Sequence, residues 1–140
     1  MREIWDQVKD WQKDGKTICM ATVVKVSGSS LRPEGSKMLL SGDGTIAGSV
    51  TGGCVEGAVF EEARGVLKRG TPMLLAYGVS NEQAWDVGLS CGGSVEIFVE
   101  ALDSAPWKAV TPLLEKTLVT RQAAILFTIL IGDTYGNKLL

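Results

Sequence analysis

One segment constrains this chain more than any other, because a strand-like run passes through paired glycines directly into a helix-like run. Residues 45–50 (T-I-A-G-S-V) are largely apolar, and residues 51–53 (T-G-G) separate them from a helical pattern. From Cys54 to Arg69 apolar residues recur on one helical face, with acids early, basic residues late and Gly70 as a terminator. The segment predicts a tight strand-to-helix turn at the carboxyl end of a strand, where α/β folds tend to bind ligands.

The remaining periodicities predict strands and helices around this turn. An amphipathic helix is expected over residues 3–14, and the Asp-Gly pair within residues 42–44 predicts a hairpin between strands at 36–41 and 45–50. We also expect strands at residues 17–26, 71–77 and 94–101, and a short helix at residues 80–87. The predicted fold class is mixed α/β, with one sheet of about five or six strands flanked by helices.

Two of these strands carry more specific expectations. The strand at residues 17–26 is almost continuously apolar, so it should be covered on both faces and should bury Cys19 as a core thiol. The strand at residues 94–101 alternates instead. One face carries only aliphatic side chains, whereas the face with Glu96, Phe98 and Glu100 is expected to be wetter.

The C-terminal part of the chain resembles its own beginning. Residues 125–140 are similar to residues 18–28 followed by 35–40, and a tryptophan-bearing helix precedes each copy. We expect residues 1–102 to form one unit and residues 103–140 to open a second, incomplete unit packed on the first. Within the second unit we expect a helix interrupted by Pro112 and a buried strand at residues 123–131, which would alternatively complete a neighbour's sheet and give a homodimer.

Charge and composition exclude several classes of function. The 14 basic residues are balanced by 16 acidic ones without a basic run, which argues against nucleic-acid and acidic-membrane partners. No apolar run approaches the roughly 20 residues that span a bilayer, and three unpatterned cysteines without a leader favour the reducing cytoplasm. The absence of histidine excludes imidazole catalysis and leaves thiolates, carboxylates, hydroxyls and backbone amides.

The predicted turn has the chemistry of an anion site. Backbone amides ahead of a helix favour an anion, glycines at positions 52 and 53 allow close approach, and Ser49 or Thr51 can add a hydroxyl. Cys54 in the first helical turn would be favoured as a thiolate. Two interpretations stay open: a ligand site, or a tight turn in which Cys54 merely packs and Glu56 satisfies the helix amides rather than orienting a ligand.

A second, shorter segment repeats this composition at Cys91-Gly92-Gly93. Two thiols that converge on one pocket would suit a thiolate-binding metal or a sulfur-bearing cofactor, with Cys54 as a metal contact. Arg32 and Lys37 flank the same loop system and are the best cationic candidates to face an anionic ligand, although both are also explained as solvated charges.

Five ordered motifs go beyond such generic chemistry. They are S-S-L-R-P-E-G-S-K-M at 29–38, G-D-G-T-I-A-G-S-V-T-G-G-C-V-E-G at 42–57, Y-G-V-S at 77–80, and W-D-V-G-L-S-C-G-G with S-V-E-I-F-V-E at 85–100. Together they resemble the N-terminal domain of the XdhC/CoxI family over about residues 1 to 102. The family's Ser-Gly-Gly-Cys segment falls on residues 51–54, with Thr51 in place of serine, and its second Cys-Gly-Gly falls on residues 91–93.

The resemblance implies an accessory protein rather than a catalyst. Family members bind the molybdenum cofactor as cargo and serve its sulfurated form to xanthine dehydrogenase or related molybdenum hydroxylases, which also implies a cofactor-sulfurating protein as a partner. The cofactor's terminal phosphate would suit the glycine-rich helix start, and its molybdenum would suit a nearby thiolate such as Cys54. Relatives typically continue into a Rossmann-like domain that this sequence does not contain.

An enzyme remains the alternative interpretation. Cys54 would act as nucleophile and Cys91 as resolving thiol in a sulfur-transfer or redox reaction, which requires a disulfide between them under mild oxidant.

Overall fold

The computed structural model describes residues 1–78 and 93–140. These residues form helices α1 (Arg2–Lys13), α2 (Glu56–Arg69) and α3 (Ala105–Thr120), together with strands β1 (Ile18–Ser27), β2 (Lys37–Ser41), β3 (Ile46–Gly48), β4 (Met73–Gly78), β5 (Ser94–Ala101), β6 (Phe127–Thr128) and β7 (Lys138–Leu139). The predicted helix at 80–87, including Trp85, lies outside the described residues. None of the helices in the two described stretches has the length and apolar character required to cross a bilayer.

A five-stranded antiparallel sheet forms the centre of the fold, in the order β3-β2-β1-β5-β4. Strand β1 lies in the middle, so Ala21 pairs with Met38 of β2 on one side and with Val99 of β5 on the other. The Asp-Gly hairpin between β2 and β3 is confirmed, and the mixed α/β class with one main sheet is confirmed as well.

Each face of the sheet is covered by helices, because β1 and β2 present apolar side chains on both faces. Helix α2 packs Val59, Ala63 and Val66 against one face, where Cys19 is fully buried as predicted and burial raises the pKa of its thiol to about 12. Helices α1 and α3 cover the other face, and the rings of Trp5 and Trp107 stack there with centroids 5.7 Å apart.

Three expectations about the C-terminal half are wrong. The helix is continuous from Ala105 to Thr120 and contains Pro112 within it. The apolar segment 123–131 is largely exposed and contributes only the two residues of β6, so it is not a buried strand. The face of β5 that was predicted to be exposed to solvent is buried at two of its three positions, Phe98 and Glu100.

The hairpin formed by β6 and β7 explains the burial of Glu100. Its residue Lys138 donates hydrogen bonds to both Glu100 oxygens, at 2.9 Å and 2.7 Å, and to the Thr128 hydroxyl at 3.0 Å. The Lys138 ammonium also lies 4.4 Å from the Trp107 ring centroid, and the side chain is 0% exposed. Burial raises the pKa of Glu100 and lowers that of Lys138, while the opposite charge of the partner counteracts both shifts. A desolvated ion pair therefore fastens the hairpin to the sheet.

We predict that Lys138→Met destabilises the domain by about 3 to 5 kcal/mol, because it leaves the buried Glu100 carboxylate without the ammonium group that donates to it. The double variant Lys138→Met/Glu100→Leu should recover more than half of that loss, since a matched apolar pair removes the buried charge. Urea unfolding of the three proteins measures both effects. The exposed pair of Lys13 and Asp10 is the control, and Lys13→Met should change the free energy of unfolding little. Equal destabilisation by the single and double variants would contradict the assignment.

Candidate functional site

The connection between β3 and α2 builds the turn that the sequence predicts, but with shifted boundaries. Strand β3 ends at Gly48, and α2 begins at Glu56 with Val55 as its N-cap residue. Cys54 therefore precedes the helix, and the expectation that it occupies the first helical turn is wrong. Three glycines take positive φ values that other residues rarely adopt: Gly48 (79°), Gly52 (86°) and Gly53 (123°).

The amides of this turn bind a carboxylate from the chain itself. Glu56 reaches back over the turn, and each of its oxygens accepts several hydrogen bonds. Oε1 accepts from the backbone amides of Val50 (3.2 Å), Thr51 (3.0 Å) and Gly52 (3.0 Å) and from the Ser49 hydroxyl (2.7 Å), and Oε2 accepts from the Gly53 amide (2.9 Å) and the Thr51 hydroxyl (2.6 Å). The expectation of free amides for an external phosphate is therefore wrong, and Glu56 satisfies the turn.

The titration of Glu56 reflects this environment. Partial burial acts to raise the pKa of Glu56, but hydrogen bonds from Thr51 and Ser49 outweigh it and lower the pKa to about 2. The carboxylate is thus ionised at neutral pH, and its charge holds the positive-φ glycines in place.

The loop of residues 28–36, which joins β1 to β2, lies against both Gly52 and Gly93. Leu31 packs on Gly52, where an added Cβ atom would lie 3.2 Å from Leu31 Cδ1. On the other side of the loop, a Cβ atom at Gly93 would collide with the carbonyl oxygen of Ser29. The structure thus brings Gly93 and Gly52 against the same loop. Cys54 is partly buried against the α2 core, whereas Cys91 and Gly92 lie outside the described residues, so convergence of the two thiols stays a prediction.

Beside the turn lies a cleft of about 380 Å³, which we call the N-terminal cleft. It brings together the predicted residues Arg32, Lys37 and Ser49, and sequence reasoning missed its other lining residues: Met1, Glu3, Ile4, Gln7, Ser36, Ala47 and Gly48. The register of the β2–β3 hairpin explains why Lys37 and Ser49 are adjacent, because the Ser49 amide donates to the Lys37 carbonyl at 3.2 Å. The adjacency of these two residues could have been predicted by counting paired residues back from the Asp-Gly turn. The contribution of α1 to the cleft could not, because no local sequence pattern indicates it.

The N-terminal cleft is rich in hydrogen-bond donors. Lys37 donates to the Thr22 hydroxyl at 3.1 Å, and burial lowers the pKa of Lys37, with Glu100 raising it and Lys138 lowering it further. The first turn of α1, which borders the cleft, has no side-chain cap, so its amides add partial positive charge. Arg32 and Lys37 supply two positive charges to the cleft and Glu3 supplies one negative charge, so the arrangement suits an oxyanion. Within residues 1–78 and 93–140, no three Cys, Asp or Glu side chains cluster closely enough to hold a metal ion.

Comparisons with known proteins identify a family and several relatives of this chain. Residues 11–78 match the model of the XdhC and CoxI family. The chain is 36% identical over 103 residues to the Escherichia coli K12 protein "Molybdenum cofactor insertion chaperone PaoD", covering 73% of this chain and 32% of that one. It is 32% identical over 92 residues to a Bacillus subtilis 168 protein whose name describes a probable xanthine dehydrogenase component, covering 64% and 28%.

A solved structure supports the same similarity. A crystal structure described as a xanthine dehydrogenase from Bacillus halodurans superposes with a TM-score of 0.66 at 28% identity, covering 82% of this chain and 34% of that one. The chain spans about a third of the length of these relatives.

We predict that Glu56→Gln destabilises the domain by about 1 to 2 kcal/mol at pH 7, after allowance for solvent screening of a partly exposed carboxylate. Because the folded-state pKa lies near 2, below the ordinary value of 4.5, the contribution is present above about pH 4.5 and lost as pH falls toward 2. Urea unfolding at several pH values should show the difference shrinking over that range. Glu61→Gln, on the exposed surface of the same helix, is the control. A difference that does not change with pH would contradict the role given to Glu56.

Proposed function

The chain belongs to the XdhC and CoxI family through residues 11–78, and on that premise we propose that it binds the molybdenum cofactor as cargo for insertion into a xanthine dehydrogenase-type hydroxylase. The relative named as a molybdenum cofactor insertion chaperone supports this role. In this role the chain is a carrier and not a catalyst, so its residues need to hold and release the ligand without transforming it.

The observation that carries the proposal is the donor set of the N-terminal cleft. The cofactor ends in a phosphate, and Arg32 and Lys37 are residue types that bind phosphate through charge-assisted hydrogen bonds, whereas the Ser49 hydroxyl already donates its proton to Glu56. The amides of residues 50–53 do not fit this task, because Glu56 already accepts from them and a second anion beside it would be repelled. We therefore assign the phosphate to Arg32 and Lys37 of the cleft, and we give Ser49, Thr51, Gly52, Gly53 and Glu56 the task of holding the turn beside it.

The proposal gives the contact with the cofactor's metal to Cys54, which directly precedes Val55, the N-cap residue of α2. When bound, the cofactor supplies a molybdenum ion held by dithiolene sulfurs, and a thiolate is a suitable further ligand for such an ion. Cys54 follows the two positive-φ glycines and is only partly buried, so it is the described thiol that can reach a ligand. Cys19 is fully buried with a raised pKa and is excluded from this role. Participation of Cys91, Gly92 and Gly93 belongs to the same proposal.

The proposed partners are the recipient hydroxylase, a protein that sulfurates the cofactor, and a second copy of the chain. A surface suited to a protein partner is the outer face of the segment 125–131 and β7, where every second residue of the segment is an exposed apolar one: Ile125, Phe127, Ile129, Ile131 and, on β7, Leu139. An exposed apolar face of this kind marks a protein interaction surface.

Co-expression with the cofactor pathway, followed by molybdenum and pterin analysis of the purified chain, tests the proposal. We expect Arg32→Gln to reduce retained pterin by about tenfold or more, because a charge-assisted contact to phosphate is lost. Cys54→Ala should reduce retained molybdenum more than retained pterin, since it removes only the contact to the metal.

The matched controls are Lys25→Gln, which alters an exposed cation elsewhere on the sheet, and Cys19→Ala, which removes the buried thiol. Both should retain wild-type amounts of molybdenum and pterin once folding is verified by circular dichroism. Retention by Arg32→Gln equal to that of Lys25→Gln would eliminate the cleft as the phosphate site. No retention by the wild-type chain would defeat the carrier function itself.

A further inference from the structure

A second cavity lies beneath the C-terminal hairpin, and we call it the hairpin cavity. It has a volume of about 340 Å³ and touches the N-terminal cleft only through Met1 and Lys37, which line both. Its walls come from β1, β2, β5 and α3 on one side and from Leu126, Thr128 and Leu130 of the hairpin segment on the other. The volume exceeds what a few ordered waters need and matches that of small-ligand pockets.

Two ammonium groups, those of Lys37 and Lys138, and two carboxylates, those of Glu34 and Glu100, surround this cavity, and they differ in the partners they already have. Glu100 is the buried carboxylate of the cavity, and Lys138 already bonds to both of its oxygens. Lys37 is the other ammonium group beside it, and the side-chain partner it has is the neutral Thr22 hydroxyl at 3.1 Å. Glu34 lines the exposed rim, where its carboxylate accepts from the Val26 amide at 3.0 Å. Lys37 thus retains donor capacity and positive charge at the boundary of the cavity.

A second unused donor lines the same cavity. The indole Nε1 of Trp107 is buried and has no hydrogen-bond partner within bonding distance in the described part of the chain, although it lies near enough to Glu100 to lower the pKa of that carboxyl. A buried N–H without a partner costs free energy, and a ligand that accepts from it would recover that cost.

The rest of the lining is apolar. Met20, Val23, Phe98, Leu126 and Leu130 surround the polar groups. A cavity with a few convergent donors in an otherwise apolar wall selects a ligand with an oxyanion head and an apolar or aromatic body.

From these observations we propose that the hairpin cavity binds a small organic anion, with its oxyanion held by Lys37 and its apolar body enclosed between the sheet and the C-terminal hairpin. The site borders the cofactor site proposed above and shares Lys37 with it, but its walls do not include Arg32, Ser49 or Cys54. Carboxylate and phosphate heads satisfy the same donors, and the experiment distinguishes them.

The test is titration of the ¹⁵N-labelled chain with benzoate and with phenyl phosphate, followed by NMR. The indole N–H of Trp107 is the readout, because it lies in the cavity wall and is identified by its loss in Trp107→Phe. We expect that signal to shift with saturation by at least one of the two probes, whereas inorganic phosphate and benzyl alcohol, which lack the body or the charge, bind at least about tenfold more weakly.

Variants decide the role of Lys37. Lys37→Met should weaken binding of the preferred probe by about tenfold or more, and Lys37→Arg, which keeps the charge, should stay within about threefold of wild type. Lys25→Met and Arg32→Gln should leave the affinity unchanged. An unmoved Trp107 signal with both probes, or equal affinity in Lys37→Met and Lys25→Met, overturns the proposal. Either result leaves the cofactor proposal intact, because the probes carry neither pterin nor metal.

Discussion

The turn between β3 and α2 exists because Glu56 binds it from within. Four successive amides and two hydroxyls converge on one carboxylate, and this concentration of donors compensates for the conformational cost of the glycines at positions 52 and 53. The fixed turn positions Ser49 at the N-terminal cleft and Cys54 just ahead of the helix. It also determines the chemistry of the site, because an anion hole that holds its own carboxylate repels an external phosphate. In the function that we propose, ligand binding therefore uses the neighbouring cations instead.

The elements with a clear period can be predicted from the sequence, and the contacts that cross the fold cannot. Helices α1 and α2, the Asp-Gly hairpin and strands β1 and β5 all follow from local patterns, which predict their bounds to within a few residues. The partner of the glycine amides is harder to predict, because an acid at position 56 is equally consistent with a helix that begins at 54 or at 56. Only the backbone path of residues 49–55 shows that this side chain folds back onto the turn.

The C-terminal hairpin shows a different limit of pattern reasoning. The almost continuously apolar segment 123–131 suggests burial on both faces, but only Leu126, Thr128 and Leu130 face the rest of the molecule. The strand at 94–101 also departs from its pattern, but here a residue predicted to be exposed is buried. Glu100 looks like a solvent-facing residue until its partner Lys138, 38 residues away, is known. A buried ion pair between distant elements leaves no periodic trace in a sequence.

The internal similarity of the chain places Lys37 and Lys138 in equivalent positions, but their partners differ. Lys37 and Lys138 occupy matching places, since each follows a Gly-x step and donates to a threonine on the strand it pairs with, Thr22 or Thr128. Both lie near Glu100, but one carboxylate neutralises one ammonium, and Lys138 takes both of its oxygens. The lysine of the C-terminal hairpin therefore has a structural role, whereas Lys37, which donates to the neutral Thr22 hydroxyl, keeps further donor capacity between two cavities. In the ligand site that we propose, the cation thus comes from elements that also stabilise the fold.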